Sequence, residues 1–411
     1  MIRLQKQAIP ESTYLIVSQL ITQIVDKAIM VTLIWYITQH YSQFELSIFL
    51  GVIMLPYFIS LPFVHTLTDR FSAVTIVRFT EISRAACFIM AFLFFKGQLS
   101  FASIMVIGFS KNMAASLFDP VMLSIPPQLT RSESTHQLMS WMNAGFAIGV
   151  IIGPMLAMAV IHLHGINTLF LLAAIFYVIS FLLLRNIRLI ETFSHEKNTI
   201  QSDHIFQKLR KIMKESTGNI GAFILYSALM NLLFGPLSLL IPLLVSHMHH
   251  GGFSHYSGLQ IAMGVGAVTG SLLSGAVRIR RIEYAGIYGL FCYLLSACCY
   301  IVLGCQHQYG ESVLSLFCLD LCMSAGNVFI MTHYQKQSMD TLLPTVMSCV
   351  VFISVALSPL AMCIAGILLH YCDVQTVLVS YAVSAVILSA AIILYVSKNV
   401  KIQVNEKMRL V

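Results

Sequence analysis

Runs of about 20 predominantly apolar residues, each long enough at 1.5 Å per residue to cross a bilayer as a helix, recur twelve times along this 411-residue chain. They fall near 13–37, 45–67, 73–95, 99–125, 136–162, 166–185, 219–246, 256–278, 283–304, 312–335, 344–370 and 374–397. Turn or charge signals separate them, among them Asp69-Arg70, Lys96-Gly97, His164-Gly165, Arg280-Arg281 and Cys372-Asp373. With 58% hydrophobic and 10% charged residues, against about 25% charged in soluble domains, the chain is expected to be an all-α polytopic membrane protein. Its net charge of +7 is scattered singly between apolar runs, which argues against nucleic-acid binding. The longest charged segment, 185–215, is too short for a soluble catalytic domain.

Basic residues distribute by topology. With the N-terminus cytoplasmic, inward-facing segments hold nineteen Lys and Arg, from Arg3 and Lys6 to Lys407 and Arg409, and the opposite face holds Lys96 alone. An even number of spans with both termini inside follows, and the location expected is the inner (cytoplasmic) membrane of a bacterium. The first apolar run exceeds a signal-peptide core and lacks a small-x-small cleavage site, so it is expected to stay attached as the first span.

The basic segment also divides the chain into halves: a six-helix bundle over 1–185, a cytoplasmic linker over 186–218, a second bundle over 219–398 and a cytoplasmic tail over 399–411. Gly153-Pro154 in span 5 is echoed by Ser358-Pro359 in span 11, each with a His at the outer end, His162 and His370. Duplicated halves are a common transporter plan, and twelve spans in two six-helix pseudo-repeats predict a major facilitator fold.

Several motifs strengthen this. The turn His65-Thr-Leu67-Thr-Asp69-Arg70 resembles the major facilitator loop signature G-x-L-x-D-R-x-G-R-R/K at Leu67, Asp69 and Arg70, but not at its glycines or trailing basic pair. Span 5, with Gly145, Gly149, Gly153 and Pro154, is similar to the glycine-rich motif associated with antiporters, with Ala157-Met158 where Gly-Gly is usual. Phe118-Asp-Pro120, Ile125-Pro126-Pro127-Gln-Leu129, Pro236-x5-Pro242 and Leu343-x2-Val346-x-Ser348 resemble the macrolide-efflux and enterobactin-exporter branch, which is related to the lysophospholipid transporters. Asp26 falls where that branch often carries an acid. The resemblance implies a cytoplasmic latch at Asp69 and Arg70 that breaks when the cavity changes face. Glycines four apart allow close helix approach, so Gly145, Gly149 and Gly153 read equally as a packing motif or as an antiport element.

Ionisable residues at membrane depth cost about 2.5–3.5 kcal/mol on insertion scales and normally face protein or water. Gln19, Gln23 and Asp26, with Lys27 adjoining, share one face of span 1; Asn112, Ser116 and Asp119, with Lys111 adjoining, share one of span 4. Ser227, Asn231 and Ser238 mark span 7, and Asp320, Ser324 and Asn327 mark span 10. These are the spans that line the central cavity of the fold the chain resembles, so these residues are expected to line a substrate cavity. Asp26, and secondarily Asp320, are the candidate proton-coupling groups; the competing reading is a permanent Asp26–Lys111 or Asp26–Lys27 pair. Arg78, Glu81 and Arg84, at i+3 steps in span 3, read as a ladder satisfied within one helix, with Glu81 able to support the latch. Lys27 and Lys111 hint at a substrate carrying a carboxylate or phosphate.

The cysteines read as small apolar fillers, without a C-x-x-C pair or ligand cluster. His247, Met248, His249, His250 and His255 read as an exposed polar loop, with metal binding or acid sensing as the sharper alternative. Neither H-E-x-x-H, G-x-S-x-G nor a Walker loop occurs, so no enzyme activity, metal or cofactor is expected. The expected partners are a small-molecule substrate, protons and the lipid bilayer, with the chain a monomer. The function expected is proton-coupled efflux of a small amphipathic compound, drug-like or siderophore; the alternatives are a lysophospholipid flippase, an organic-anion importer or, less favoured, a polytopic membrane enzyme.

Overall fold

The computed structural model describes residues 11–94, 99–129, 132–187, 220–247, 251–277, 285–306, 308–337 and 343–409. Apart from residues 186 and 187, the expected linker lies outside these, as do Met248, His249, His250 and the side chain of Asp69. All regular structure among the described residues is helical: α1 Glu11–His40, α2 Gln43–Val52, α3 Leu55–Arg70, α4 Ala73–Phe94, α5 Phe101–Ser124, α6 Pro126–Leu129, α7 Ser132–His164 and α8 Ile166–Leu184. After the linker come α9 Ile220–Phe234, α10 Leu237–His247, α11 Phe253–Ala276, α12 Ala285–Cys305, α13 Tyr309–Gln337, α14 Leu343–Tyr371 and α15 Val374–Arg409.

Ten stretches among the described residues are long and apolar enough to cross a membrane, and the protein is a multi-pass membrane protein. The other two expected spans are also helices. α4 has the length but carries Arg78, Glu81 and Arg84, and α14 contributes the shorter apolar stretch Leu357–Tyr371.

Two spans are broken where continuous helices are expected. α2 and α3 meet at Ile53-Met54, with a proline in the first turn of α3, and α9 and α10 meet at Gly235-Pro236. A proline lacks the N–H of the helical ladder and pushes the residue before it out of the helical region. Pro120, Pro154, Pro242 and Pro359 nevertheless sit inside helices. In a membrane, neighbouring helices can re-satisfy the freed carbonyls. Gly165, with φ of +80°, makes the turn from α7 into α8, a conformation that disfavours any side chain. α15 continues as helix through Arg409, past the end of its span.

The chain divides into two compact units, Met1–Ile37 with Val52–Glu196, and Thr38–Gly51 with Lys197–Val411. In the first, Leu15, Val74, Val77, Phe118, Met122, Met142 and Leu184 join α1, α4, α5, α7 and α8 in one core. In the second, α13 packs tightly against α11 and α12. Gly266 and Gly270 let α11 approach the backbone of α13 at Phe317 and Leu321, and a Cβ at Gly289 would lie 3.0 Å from the Gly326 carbonyl.

Candidate functional site

Four helices of the first unit converge on a buried charge cluster. Along α1, steps of four residues place Ser18, Thr22 and Asp26 in one line, with exposures of 0%, 0% and 7%. α4 supplies Glu81 and Arg84, exposed 0% and 1%, and α5 supplies Lys111, exposed 6%. α8 supplies Tyr177 and Ser180, both fully buried.

Asp26 is the most heavily partnered group. The Tyr177 hydroxyl donates to its Oδ1 at 2.6 Å, Lys111 Nζ lies 3.3 Å from Oδ1 and Arg84 Nη1 lies 3.6 Å from Oδ2. The same Nη1 is 3.3 Å from Glu81 Oε1, so one nitrogen of Arg84 serves two carboxylates. The guanidinium is held between aromatic faces, with Cζ 4.7 Å from the Phe118 ring centre and 5.6 Å from that of Tyr177. Contacts of this kind over aromatic rings favour Arg over Lys. Burying charge at this depth is tolerable only when it is paired.

Of the competing readings of Asp26, this geometry supplies a Lys111 pair with Arg84 added. Lys27 points elsewhere, its Nζ 5.0 Å from the Phe146 ring centre. The span 3 ladder is not satisfied within its helix. Glu81 accepts from Thr22 on α1 at 3.1 Å, and Arg84 reaches α1 at Asp26. Arg78 donates to the carbonyls of Leu184, Arg185 and Ile187, at 2.9 to 3.3 Å, and so caps the end of α8.

The remaining span 1 and span 4 candidates separate. Gln19 and Gln23 are buried, and the Cβ atoms of Gln23 and Lys27 lie beneath Gly149 and Gly153 of α7. Asn112 donates at 2.7 Å to the carbonyl of Ile53, at the break between α2 and α3. Asp119 accepts from the Tyr57 hydroxyl at 3.3 Å, and Ser116 bonds within its own helix. Gly145 lies against Leu20 at ordinary contact distance, whereas a Cβ at Gly149 or Gly153 would meet α1 at 2.7 or 2.6 Å. Pro154 is buried in the helix interior next to them. Arg70 ends α3 and is exposed; the Phe71 amide bonding Leu67 at 2.8 Å closes the turn.

In the second unit the candidates do not converge. Asn231 donates to the carbonyl of Ser227, whose hydroxyl meets Tyr334 at 3.1 Å. Ser324 pairs with Ser271 of α11 at 2.9 Å, and Asn327 is exposed. Asp320 is 6% exposed, and its Oδ1 has no hydrogen-bond partner among the described residues. Gln43 and His247 meet through their side-chain nitrogens at 3.2 Å, and His255 rests edge-on against Tyr309. Among the described residues no three His, Cys, Asp or Glu side chains are placed to hold a metal ion.

Sequence reasoning missed Tyr177 and Ser180, because α8 is so apolar that it reads as a packing or lipid-facing span. The usable signal was that these two polar residues stand three apart, on one face of that helix.

The family profile described as Major Facilitator Superfamily matches residues 15–365. Among solved structures, the nucleoside transporter NupG superposes with a TM-score of 0.72 at 12% identity, covering 95% of this chain and 100% of that one. A bacterial homologue of the human lysosomal transporter Spinster superposes at 0.70 with 12% identity, covering 95% and 98%. The human organic anion transporter MFSD10 (TETRAN) superposes at 0.65 with 12% identity, covering 93% and 99%. No curated protein sequence matches the chain. At these identities the structural likeness speaks for the fold, and the profile, spanning most of the chain, speaks for descent: this protein belongs to the Major Facilitator Superfamily.

Proposed function

We propose that the protein is a proton-coupled secondary transporter that exports a small amphipathic compound, drug-like or siderophore, by alternating access of two six-helix bundles, 1–185 and 219–398, joined by a cytoplasmic linker. The observation that carries this reading is the buried cluster of Asp26, Glu81, Arg84 and Lys111 on three helices at membrane depth. Intramembrane ionisable groups are costly and usually serve ion or substrate pathways. Asp26 and Asp320 are the proton-coupling acids in this reading, and Asp69 and Arg70 form the cytoplasmic latch. The macrolide-efflux and enterobactin-exporter likeness supplies the substrate class. The chain works as a monomer in a bacterial inner membrane with both termini cytoplasmic.

A second reading, an organic-anion importer or lysophospholipid flippase, draws on Lys27, which faces an aromatic ring, and on Lys111 beside it. The test is an untargeted comparison of cell contents and spent medium from strains lacking the protein, restored with it, and restored with Asp26→Asn. A compound trapped inside the deletion and Asp26→Asn strains supports proton-linked export. A compound left unconsumed outside, or a change confined to membrane lysolipids, replaces export with the second reading.

A further inference from the structure

The buried cluster holds a second carboxylate that the coupling scheme above does not use. Glu81 is 0% exposed, and its Oε2 has no hydrogen-bond partner among the described residues. Its Oε1 holds one hydroxyl and part of one guanidinium: Thr22 at 3.1 Å and Arg84 Nη1 at 3.3 Å. Arg84 has donors to spare, since Nε and Nη2 are buried without hydrogen-bond partners among the described residues. Orphaned donors and an orphaned acceptor this close together mark a network with a second arrangement, because each costs about 1–3 kcal/mol when left unmade.

A line of hydroxyls leads to this carboxylate. Ser18 Oγ lies 2.7 Å from Ser180 Oγ, Ser180 Oγ lies 3.1 Å from Thr22 Oγ1, and Thr22 bonds Glu81. Every member is fully buried. Hydroxyls both donate and accept, so the line can pass a proton by reversing its bonds in sequence, ending on the glutamate. The charged and titratable groups facing Glu81 are Asp26 on α1, Arg84 on its own helix and Tyr177 on α8. Lys111 and Asp119 of α5 act on Asp26 and Arg84 instead.

We propose that Glu81 binds and releases a proton, with Thr22, Ser180 and Ser18 as the hydroxyl line that meets it, and so switches the partner of Arg84. The inference rests on the transporter reading. Protonating Glu81 removes one of the two carboxylates competing for Nη1. Arg84 is then drawn wholly to Asp26, and Lys111, now sharing a carboxylate that is already neutralised, becomes available to an anionic group. The proton is therefore linked to the pairing of Lys111 without leaving the first unit.

The test is an infrared titration of the purified full-length protein in phosphatidylcholine vesicles, following the carbonyl stretch of protonated carboxyl groups. A component that titrates in the wild type and is lost in Glu81→Gln supports the proposal. Persistence of every titrating component in Glu81→Gln, or the absence of any in the wild type, overturns it. Should Glu81→Gln fail to fold, the near-isosteric Thr22→Val gives the answer: removal of the hydroxyl shifts the position of a Glu81 band, and an unshifted spectrum overturns the proposal. The measurement needs neither substrate nor flux. A protein that moves its substrate without protons would still give the Glu81 band, so failure of the coupling reading and failure of this inference are separable.

Discussion

Replacing glycines of α7 by alanine, one at a time, tests how closely α1 is held at the charge cluster. A Cβ at Gly153 would stand 2.6 Å from Lys27 Cβ, 2.8 Å from the Ile24 carbonyl oxygen and 3.0 Å from the Ala28 nitrogen. Carbon atoms settle at about 3.5–4.0 Å, so the helices must part by roughly 0.9 Å, and two of the three obstacles are backbone. Gly149 meets a similar wall, at 2.7 Å from Gln23 Cβ and 3.1 Å from its carbonyl carbon, whereas Gly145 faces Leu20 Cβ at 3.8 Å. Alanine gains about 1 kcal/mol over glycine in a helix interior, and overpacking costs typically about 1–3 kcal/mol. Gly145→Ala should therefore be neutral or stabilising, by up to about 1 kcal/mol. Gly153→Ala and Gly149→Ala should lose a net of up to about 2 kcal/mol, and leucine at 153 more. Thermal melting of the purified variants, followed by monodisperse recovery on size exclusion, gives the order. A Gly153→Ala protein melting at or above wild type, or a Gly145→Ala protein falling as far, would refute the claim that these glycines set the α1–α7 distance.

Further substitutions probe the cluster and the helix ends. Arg84→Met strands Glu81 and leaves Asp26 to Lys111 and Tyr177, and should cost about 3–5 kcal/mol, read as a large drop in melting temperature; Arg84→Lys should recover only part of it, because lysine lacks the planar group that lies over the Phe118 and Tyr177 rings. Asn112→Leu leaves the Ile53 carbonyl without its 2.7 Å donor and should cost about 1–3 kcal/mol by the same assay. At the start of α15, the Thr376 hydroxyl, then its amide, hold the Asp373 carboxyl below the usual range. That cap stabilises the fold above the unfolded-chain value, near 3.9, and its contribution is lost as pH falls through the lower folded value. Asp373→Ala should accordingly lower stability by up to about 1 kcal/mol at neutral pH and leave it unchanged once both states are protonated; an equal loss at all pH values would refute the capping account.

The spans were legible because bilayer thickness imposes a length and a composition that no other constraint mimics. The breaks at Ile53-Met54 and Gly235-Pro236 were not, since prolines at 120, 154, 242 and 359 carry the same letter and leave their helices running. At the first break Asn112, from another helix, supplies the donor for the Ile53 carbonyl, and such a partner is a tertiary fact that the letters do not carry. Within the site, helical spacing picked out Asp26, and Lys111 only as the neighbour of the Asn112, Ser116 and Asp119 stripe, but spacing cannot say which of two adjacent faces a residue joins. Ser18, Thr22 and Asp26 form the line toward α4 and α8, while Gln23 and Lys27 lie under α7. The span 3 ladder misled for a related reason. An i, i+3 salt bridge between Glu81 and Arg84 does form, yet the same two side chains also reach another helix, at Thr22 and Asp26.

The same partner count revises what neutralising each acid should do. Asp26 compensates Arg84 and Lys111 at once and accepts from Tyr177. Asp26→Asn therefore leaves Arg84 to Glu81 alone and takes the ion-pair partner from Lys111, and a stability loss of about 3 kcal/mol or more is expected together with any loss of transport. Asp320 compensates no cation among the described residues, and its Oδ1 makes no bond there. Asp320→Asn removes a buried charge and strands nothing, so melting should be unchanged or improved. The two acids thus differ as experimental handles. A transport defect in Asp26→Asn mixes coupling with folding, and its complement is a double variant, Asp26→Asn with Lys111→Met, in which one cation leaves with the acid. If pairing dominates, the double variant should regain most of the melting temperature lost by Asp26→Asn alone. No recovery would mean that Lys111 does not lean on Asp26. By contrast, a transport defect in Asp320→Asn at undiminished stability would point directly to coupling, and wild-type pH-driven flux in that variant would leave the acids of the first unit to carry the proton.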